Sequence, residues 1–237
     1  MEQVYIFIDE SGTDSSSENL VLAIVLTENP IEIRVSIASL LDRIRRDPEI
    51  QNIKSVKESG LATFHYSEDH HEVRQQFISL LPALDFDAYV SFLSKDECEG
   101  DEKLTHILNL LQVLVYPRLQ EKHYKHINII YEQFDEGAAA TKREIESRIR
   151  KSQRRVFSET GKSVQDLNLS FSDKDELCLS VPDYVAGITR DFLSTKDAHK
   201  QEEDYLEKRH YLRIAGKIRL INDYKNKKFY SRKNPLT

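Results

Sequence analysis

The chain has 237 residues, 39% hydrophobic and 31% charged, enough apolar material for a sizeable core under a heavily solvated surface. Its net charge of −6 excludes a protein that coats nucleic acid through a global basic field, while leaving room for an enzyme with a local basic groove. Two cysteines without zinc-type spacing (Cys98 and Cys178), no signal peptide and no apolar run of the ~20 residues a membrane span needs make a reduced, cytoplasmic protein the expectation.

Val4–Ile8 and Leu20–Leu26 are compact β-rich runs joined by the polar loop "DESGTDSSSEN", and they read as an antiparallel pair. In "SIASLLDRIRR", Ile37, Leu40, Leu41 and Ile44 fall at spacings of three and four, which predicts a helix. "QNIKSVKESGLATFHYSED" is mixed and reads as loop, and "HHEVRQQFISLLPAL" returns to helical spacing through Val73, Phe77 and Leu81. "FDAYVSFLSK" is the third predicted strand. "EKLTHILNLLQVLVYPRLQ" is the strongest predicted helix, kinked or ended by Pro117.

"HINIIYEQ" is a fourth strand, ending in Glu132. "EGAAATKREIESRIRKSQRRVF" is a helix with Ile145 and Ile149 inward and a basic outer face. "LNLSFS" alternates strictly and gives a fifth strand. "SVPDYVAGITRDFL" opens a helix with Pro182 in its first turn, where proline is tolerated. Residues 196–237 are a charged extension, with Tyr205, Tyr211, Ile214, Ile218 and Ile221 reading as further helix packed on the outside. The order of elements predicts one α/β domain built on a mixed five-stranded sheet with flanking helices.

Acidic residues fall at the ends of these elements: Asp9 and Glu10 after the first strand, Glu132 after the fourth, Asp183 in the first turn of the last long helix. Converged, such carboxylates suit Mg²⁺ or Mn²⁺, hard cations that take oxygen ligands. Two such ions ~4 Å apart are the standard apparatus for phosphodiester hydrolysis. Each acid also has a plain reading. Asp9-Glu10-Ser11-Gly12 makes an ordinary turn, Glu132 an exposed strand end, and Ser180-x-x-Asp183 a capping box.

Other segments offer support. His65 in "FHYSEDHH" is a candidate to protonate a leaving group or assist a metal, whereas His70 and His71 read as a solvated helix start with Ser67 or Asp69 as the cap. Arg148, Lys151 and Arg155 lie on the basic helix as candidate phosphate contacts, against the alternative of a solvated face with i,i+4 pairing. Lys57, Lys95 and Lys174 are further cations available to a groove. "KNKKFYSRKNPLT" mixes basic residues with Phe229 and Tyr230, a composition that fits nucleic-acid stacking or packing on the domain. Seven glycines and no Gly-rich phosphate loop count against a P-loop enzyme.

"YIFIDESGT", the strand "NLVLAIVL" and "LCLSVPDYVAGITRDFL" together resemble the DUF3800 family, from about residue 4 to residue 195. Asp9, Glu10, Ser11 and Gly12 match its first motif, and Leu179, Asp183, Ala186 and Gly187 its second. Ser180 and Pro182 depart from the usual Gln and Ala. The resemblance implies an RNase H-like fold with Asp9, Glu132 and Asp183 in the acidic positions. Glu10, and more weakly Glu58, stand for a further helical glutamate, and His65 gains support.

The expectation is a Mg²⁺- or Mn²⁺-dependent nuclease that ligates metal through Asp9, Glu132 and Asp183, binds DNA or RNA and touches no membrane. Whether it forms a homo-oligomer is open. The alternative is an inactive RNase H-like interaction module of a phage-defence or mobile-element system.

Overall fold

The computed structural model describes residues 3–95, 103–120, 124–132, 139–161, 166–173, 175–195 and 205–236. Cys98, Lys174 and positions 196–204 of the charged extension lie outside them. In chain order the elements are β1 (Gln3–Ser11), β2 (Asn19–Thr27), α1 (Pro30–Arg46), α2 (Pro48–Gln51), α3 (Lys54–Ser59), α4 (His71–Leu80) and β3 (Asp87–Ser94). There follow α5 (Lys103–Gln120), β4 (His126–Glu132), α6 (Ala139–Thr160), β5 (Asp166–Ser172), α7 (Ser180–Thr195), α8 (Leu206–Ala215), β6 (Ile218–Asp223) and β7 (Lys228–Tyr230).

The strands form one sheet in the order β5-β4-β1-β2-β3-β6-β7. β1, β2 and β3 are an antiparallel meander, and β4 and β5 continue it in parallel on the β1 side. This is the mixed α/β sheet with flanking helices that the order of elements predicts. β2 is buried from end to end, as expected of a central strand covered on both faces. One core lies between the sheet and α1, α4, α7 and α8, and contains Phe7, Ile37, Phe77 and Tyr184. The other lies under α5 and α6 and contains Ile6, Ile8, Leu111, Ile145 and Ile149. Each fully buried side chain of this size stabilises the fold by roughly 1.5–3 kcal/mol.

Three expectations are corrected. Among the described residues the sheet has seven strands rather than five, because part of the extension that reads as helix is strand. α8 stops at Gly216, and Ile218–Asp223 then pairs parallel to β3 and turns back as β7. Ile214, Ile218 and Ile221 keep a helix-like spacing across that glycine, which hides the change of period. Pro117 does not end α5, which continues to Gln120, and the segment read as loop before α4 contains the short helix α3. Among the described residues no helix is long and apolar enough to cross a membrane.

Candidate active site

Strand alternation decides where the acids point. Ile6 and Ile8 of β1 face α5 and α6, and Phe7 faces α7, so Asp9 follows Phe7 and Glu10 follows Ile8. On β4, Ile129 and Tyr131 face α5 and α6 and Ile130 the other side, which turns Glu132 toward α7. Ile8 lies beside Tyr131 in the parallel register, so Asp9 and Glu132 are next neighbours on one face at one end of the sheet. α7 packs across β1 and β2 and lowers Asp183 of its first turn onto them.

Asp9 is only 5% exposed, where the strand pattern calls for an apolar side chain. Its backbone neighbour helps, since the Glu10 N–H donates to Asp9 Oδ1 at 2.8 Å. The Glu132 carboxyl is the next side chain on the same face, close enough to act on Asp9 through its charge. Burial pushes the Asp9 carboxyl well above the usual carboxylate range, and repulsion from Asp183, Glu132 and Glu10 pushes it further. Among the described residues, no three Asp, Glu, His or Cys side chains are already spaced as the finished ligand set of one ion.

Glu10 reaches the same strand end but the opposite face, where Tyr131 Oη donates to Glu10 Oε2 at 2.8 Å. Burial raises its pKa to about 7, against the Tyr131 bond, with Glu132 adding repulsion and Lys103 opposing it. Glu10 therefore joins the group through charge and does not share a face with Asp9. Glu58 is exposed on α3 beside Lys54, at 3.8 Å.

The segment 63–66 lies across the start of α7. Ser180 Oγ donates to the Phe64 carbonyl at 3.0 Å, and Asp183 Oδ2 accepts the Tyr66 N–H at 2.9 Å. These bonds replace the expected capping box. His65 Nδ1 stands 3.4 Å from Asp183 Oδ2, with both side chains 15% exposed. The His65 N–H donates to Asp69 Oδ2 at 2.9 Å, and the Tyr184 hydroxyl bonds the same oxygen. Burial raises Asp69 to about 6, opposed by those two bonds. Asp69 is thus a strut under His65 rather than the cap of α4. The cap is His70, whose Nδ1 accepts from the Glu72 N–H at 3.4 Å.

A cavity of about 10 Å³ is enclosed by Glu132, Asp183, His65, Thr63, Leu179 and Ser180. That is the space of roughly one water or one ion. A cleft of about 220 Å³ opens on the other side of His65, with Glu68, Asp69 and His70 among its walls.

Three further residues brace this end of the sheet and escape a reading of the sequence alone. Tyr66 Oη donates to Asp191 Oδ2 at 2.7 Å, while Arg190 binds Asp191 Oδ1 through Nε and Nη2 and the Ser11 hydroxyl through Nη1. Tyr66 thus spans α7 from Asp183 to Asp191, passing over Gly187. The available signal is the spacing Asp183-x₃-Gly187-x₃-Asp191, two helical turns with a gap in the middle.

The candidate phosphate contacts on α6 are placed differently. Arg148 Nη1 is half-buried and donates to Gln112 Oε1 at 2.8 Å; Arg155 pairs with Glu159 at 2.7 Å and covers the Tyr116 ring. Lys151 is exposed. α6 starts beyond the carboxyl end of β4 and returns toward the start of β5, so these residues recede from the acids. Arg148 and Arg155 lie roughly 14 and 24 Å along the helix axis from its first residue.

No protein-family model matches the chain, and no curated protein matches it. Solved structures do resemble it. RNase HII in its complex with PCNA from Archaeoglobus fulgidus aligns with 84% of this chain and 77% of its own, at 12% identity and a TM-score of 0.42. Ribonuclease H2 from Pyrococcus horikoshii OT3 aligns with 86% of this chain and 90% of its own, at 13% identity and a TM-score of 0.44. At these scores and identities neither neighbour's activity passes to this chain.

Proposed function

We propose that this chain is a divalent-metal-dependent nuclease and a member of the DUF3800 family. The observation that carries the reading is Asp9, a buried carboxyl beside Glu132 on one face of the sheet and within charge range of Asp183. Such a group costs stability where an apolar residue would add it, and the position makes physical sense if cations are its partners. The carboxylate oxygens of Asp9, Glu132 and Asp183, and the small space that Glu132 and Asp183 line with His65, suit Mg²⁺ or Mn²⁺. When bound, the metal supplies water activation and stabilisation of the leaving oxygen of a phosphodiester.

Asp9, Glu132 and Asp183 hold the ion in this reading. Glu10 stays on the far face with Tyr131 and adds negative charge. His65 lines both the small cavity and the larger cleft, so its imidazole is positioned to pass a proton between them. Asp69 fixes the backbone that carries it.

The alternative, an inactive interaction module, draws on the absence of a finished ligand set among the described residues. Its apolar contact surface would include Ile31 and Val35, which are 68% and 63% exposed one turn apart on α1.

The deciding experiment incubates wild type and Asp9→Asn with single-stranded and duplex DNA and RNA, in Mg²⁺, Mn²⁺ or chelator. Cleavage by wild type alone, and only with an ion, supports the nuclease. No cleavage of any substrate, with equal ion binding by both proteins, supports the inactive module.

A further inference from the structure

The edge of the sheet that carries the acids also carries cations that the site itself does not use. β3 and β6 run parallel to one another and in the same direction as β1, so Lys95 after β3 and the turn after β6 sit at the carboxyl end of the sheet. α5 begins there too, with exposed Lys103 close enough to Glu10 to draw its carboxyl down. Lys95 is tied to the β1–β2 loop, its N–H to the Glu18 carbonyl at 2.7 Å and its Nζ to the Asp14 carbonyl. Burial lowers the Lys95 ammonium pKa, and repulsion from Lys103 and Arg190 adds to this against the pull of Asp14. Cations crowded in this way gain from a bound anion.

The β6–β7 turn extends the row. Asp223, buried at 7% exposure, accepts from the Asn226 N–H at 3.1 Å and from Asn226 Nδ2 at 2.9 Å, which fixes the turn. Lys227 holds φ 52°, a left-handed conformation in which Asn or Gly is the ordinary choice. Lys228 is exposed beside it at the start of β7, rooted on the face opposite Phe229, so that its side chain flanks the turn from the other side. Phe229 is 55% exposed, while Tyr230, on the other face of β7, packs on the core. Phe229 pairs with Asn222, whose Nδ2 donates to Ser91 Oγ, so the ring stands on the α5 side of the sheet, the side of Glu10. β6 lies three strand spacings from β1, roughly 14 Å. That distance is the reach of a short stretch of extended nucleic acid.

We propose that this edge is a binding track for single-stranded nucleic acid, with phosphates on Lys103, Lys95, Lys227 and Lys228 and a base stacked on Phe229. The track leads a strand along the Glu10 face to the end of β1, where the chain would have to pass over the strand end to reach Asp9, and in that respect it rests on the nuclease reading. Lysines that track a backbone beside an exposed aromatic ring are the usual means of holding single strands without sequence preference.

The test measures affinity by fluorescence anisotropy for short labelled single-stranded and duplex DNA and RNA, across a salt series. The Asp9→Asn background prevents cleavage. Lys227→Asn/Lys228→Gln is the first variant, and its Asn also suits the left-handed position, so the fold is retained. Single-strand binding is expected to weaken, with a plot of log K against log salt about 1.4 less steep for two phosphate contacts. Phe229→Ala is expected to lose roughly tenfold in single-strand affinity with the slope unchanged.

An unaltered slope and affinity in the lysine variant overturns the proposal, as does a parent protein that binds no single strand. Tighter binding of duplex that ignores Phe229 overturns it as well. Wild-type cleavage is scored separately. Cleavage with lysine-independent binding sinks the track alone, and lysine-dependent binding without cleavage sinks the nuclease alone.

Discussion

Gly187 lies directly beneath the ring of Tyr66: a Cβ at this position would come within 2.2 Å of Tyr66 Cδ1. The ring cannot simply move, because its N–H is bound to Asp183 and its hydroxyl to Asp191. Gly187→Ala is therefore expected to destabilise the protein by about 1–3 kcal/mol, the range for overpacking. Tyr66→Ala in the same chain would remove the clash, so the double variant should lose less than the sum of the singles. Thermal melts of the four proteins check this. Additive losses would show that the two residues do not press on each other.

Asp9 makes the opposite prediction. A buried carboxyl raised by burial and by three acidic neighbours weakens the fold, and Asp9→Asn keeps the shape without the charge. Without divalent ions the variant is expected to melt higher than wild type, by on the order of 1–2 kcal/mol. Mn²⁺ should raise the melting temperature of wild type and leave that of the variant nearly unchanged. A variant that gains as much from Mn²⁺ as wild type removes Asp9 from the ligand set.

Glu10 and Asp69 give stability a particular pH dependence. Their folded pKa values, about 7 and about 6, lie above the ordinary 4.5 and 3.8, so the folded state holds these protons more tightly. Well below pH 4 both states are protonated and nothing is lost. As pH rises through the window from about 4 to about 7, the unfolded chain releases its protons first, and stability falls. The expected loss is on the order of 3 kcal/mol for each group, read from denaturant midpoints in chelator. Glu10→Gln should flatten the upper half of that fall. A rise in stability over the same window would contradict the buried placement of both groups.

Much of this site was legible from alternation and spacing. β1 and β4 are short apolar runs with acids at one end, and a parallel pairing in register is enough to bring Asp9 beside Glu132. The side of the sheet each acid faces follows from parity alone, which also separates Glu10 from Asp9. The support of His65 was legible only in part: Asp69 meets it locally, four residues on, whereas Asp183 meets it through tertiary docking of 63–66 on α7. The second half of the extension was misread for a local reason, the isoleucine spacing that runs through Gly216. There the short run "IRLI", opened and closed by β-branched isoleucines just past a glycine, was the better signal. The arginines of α6 were over-read, since a basic helix face looks alike in sequence whether its cations reach outward or, as with Arg148, bind the next helix.

Asp183 has two separable duties, and two substitutions tell them apart. Its Oδ2 accepts the Tyr66 N–H, which holds the His65 segment on α7, while the carboxylate charge is what a cation needs. Asp183→Asn keeps an oxygen for Tyr66 and removes the charge, so it should fold within about 1 kcal/mol of wild type. Asp183→Ala strands the Tyr66 N–H and should cost about 1–3 kcal/mol. Both should abolish the Mn²⁺-induced rise in melting temperature. If Asp183→Asn retains that rise in full, the residue is a clamp for Tyr66 and not a ligand, and the ion-sized space beside Glu132 must be explained without it.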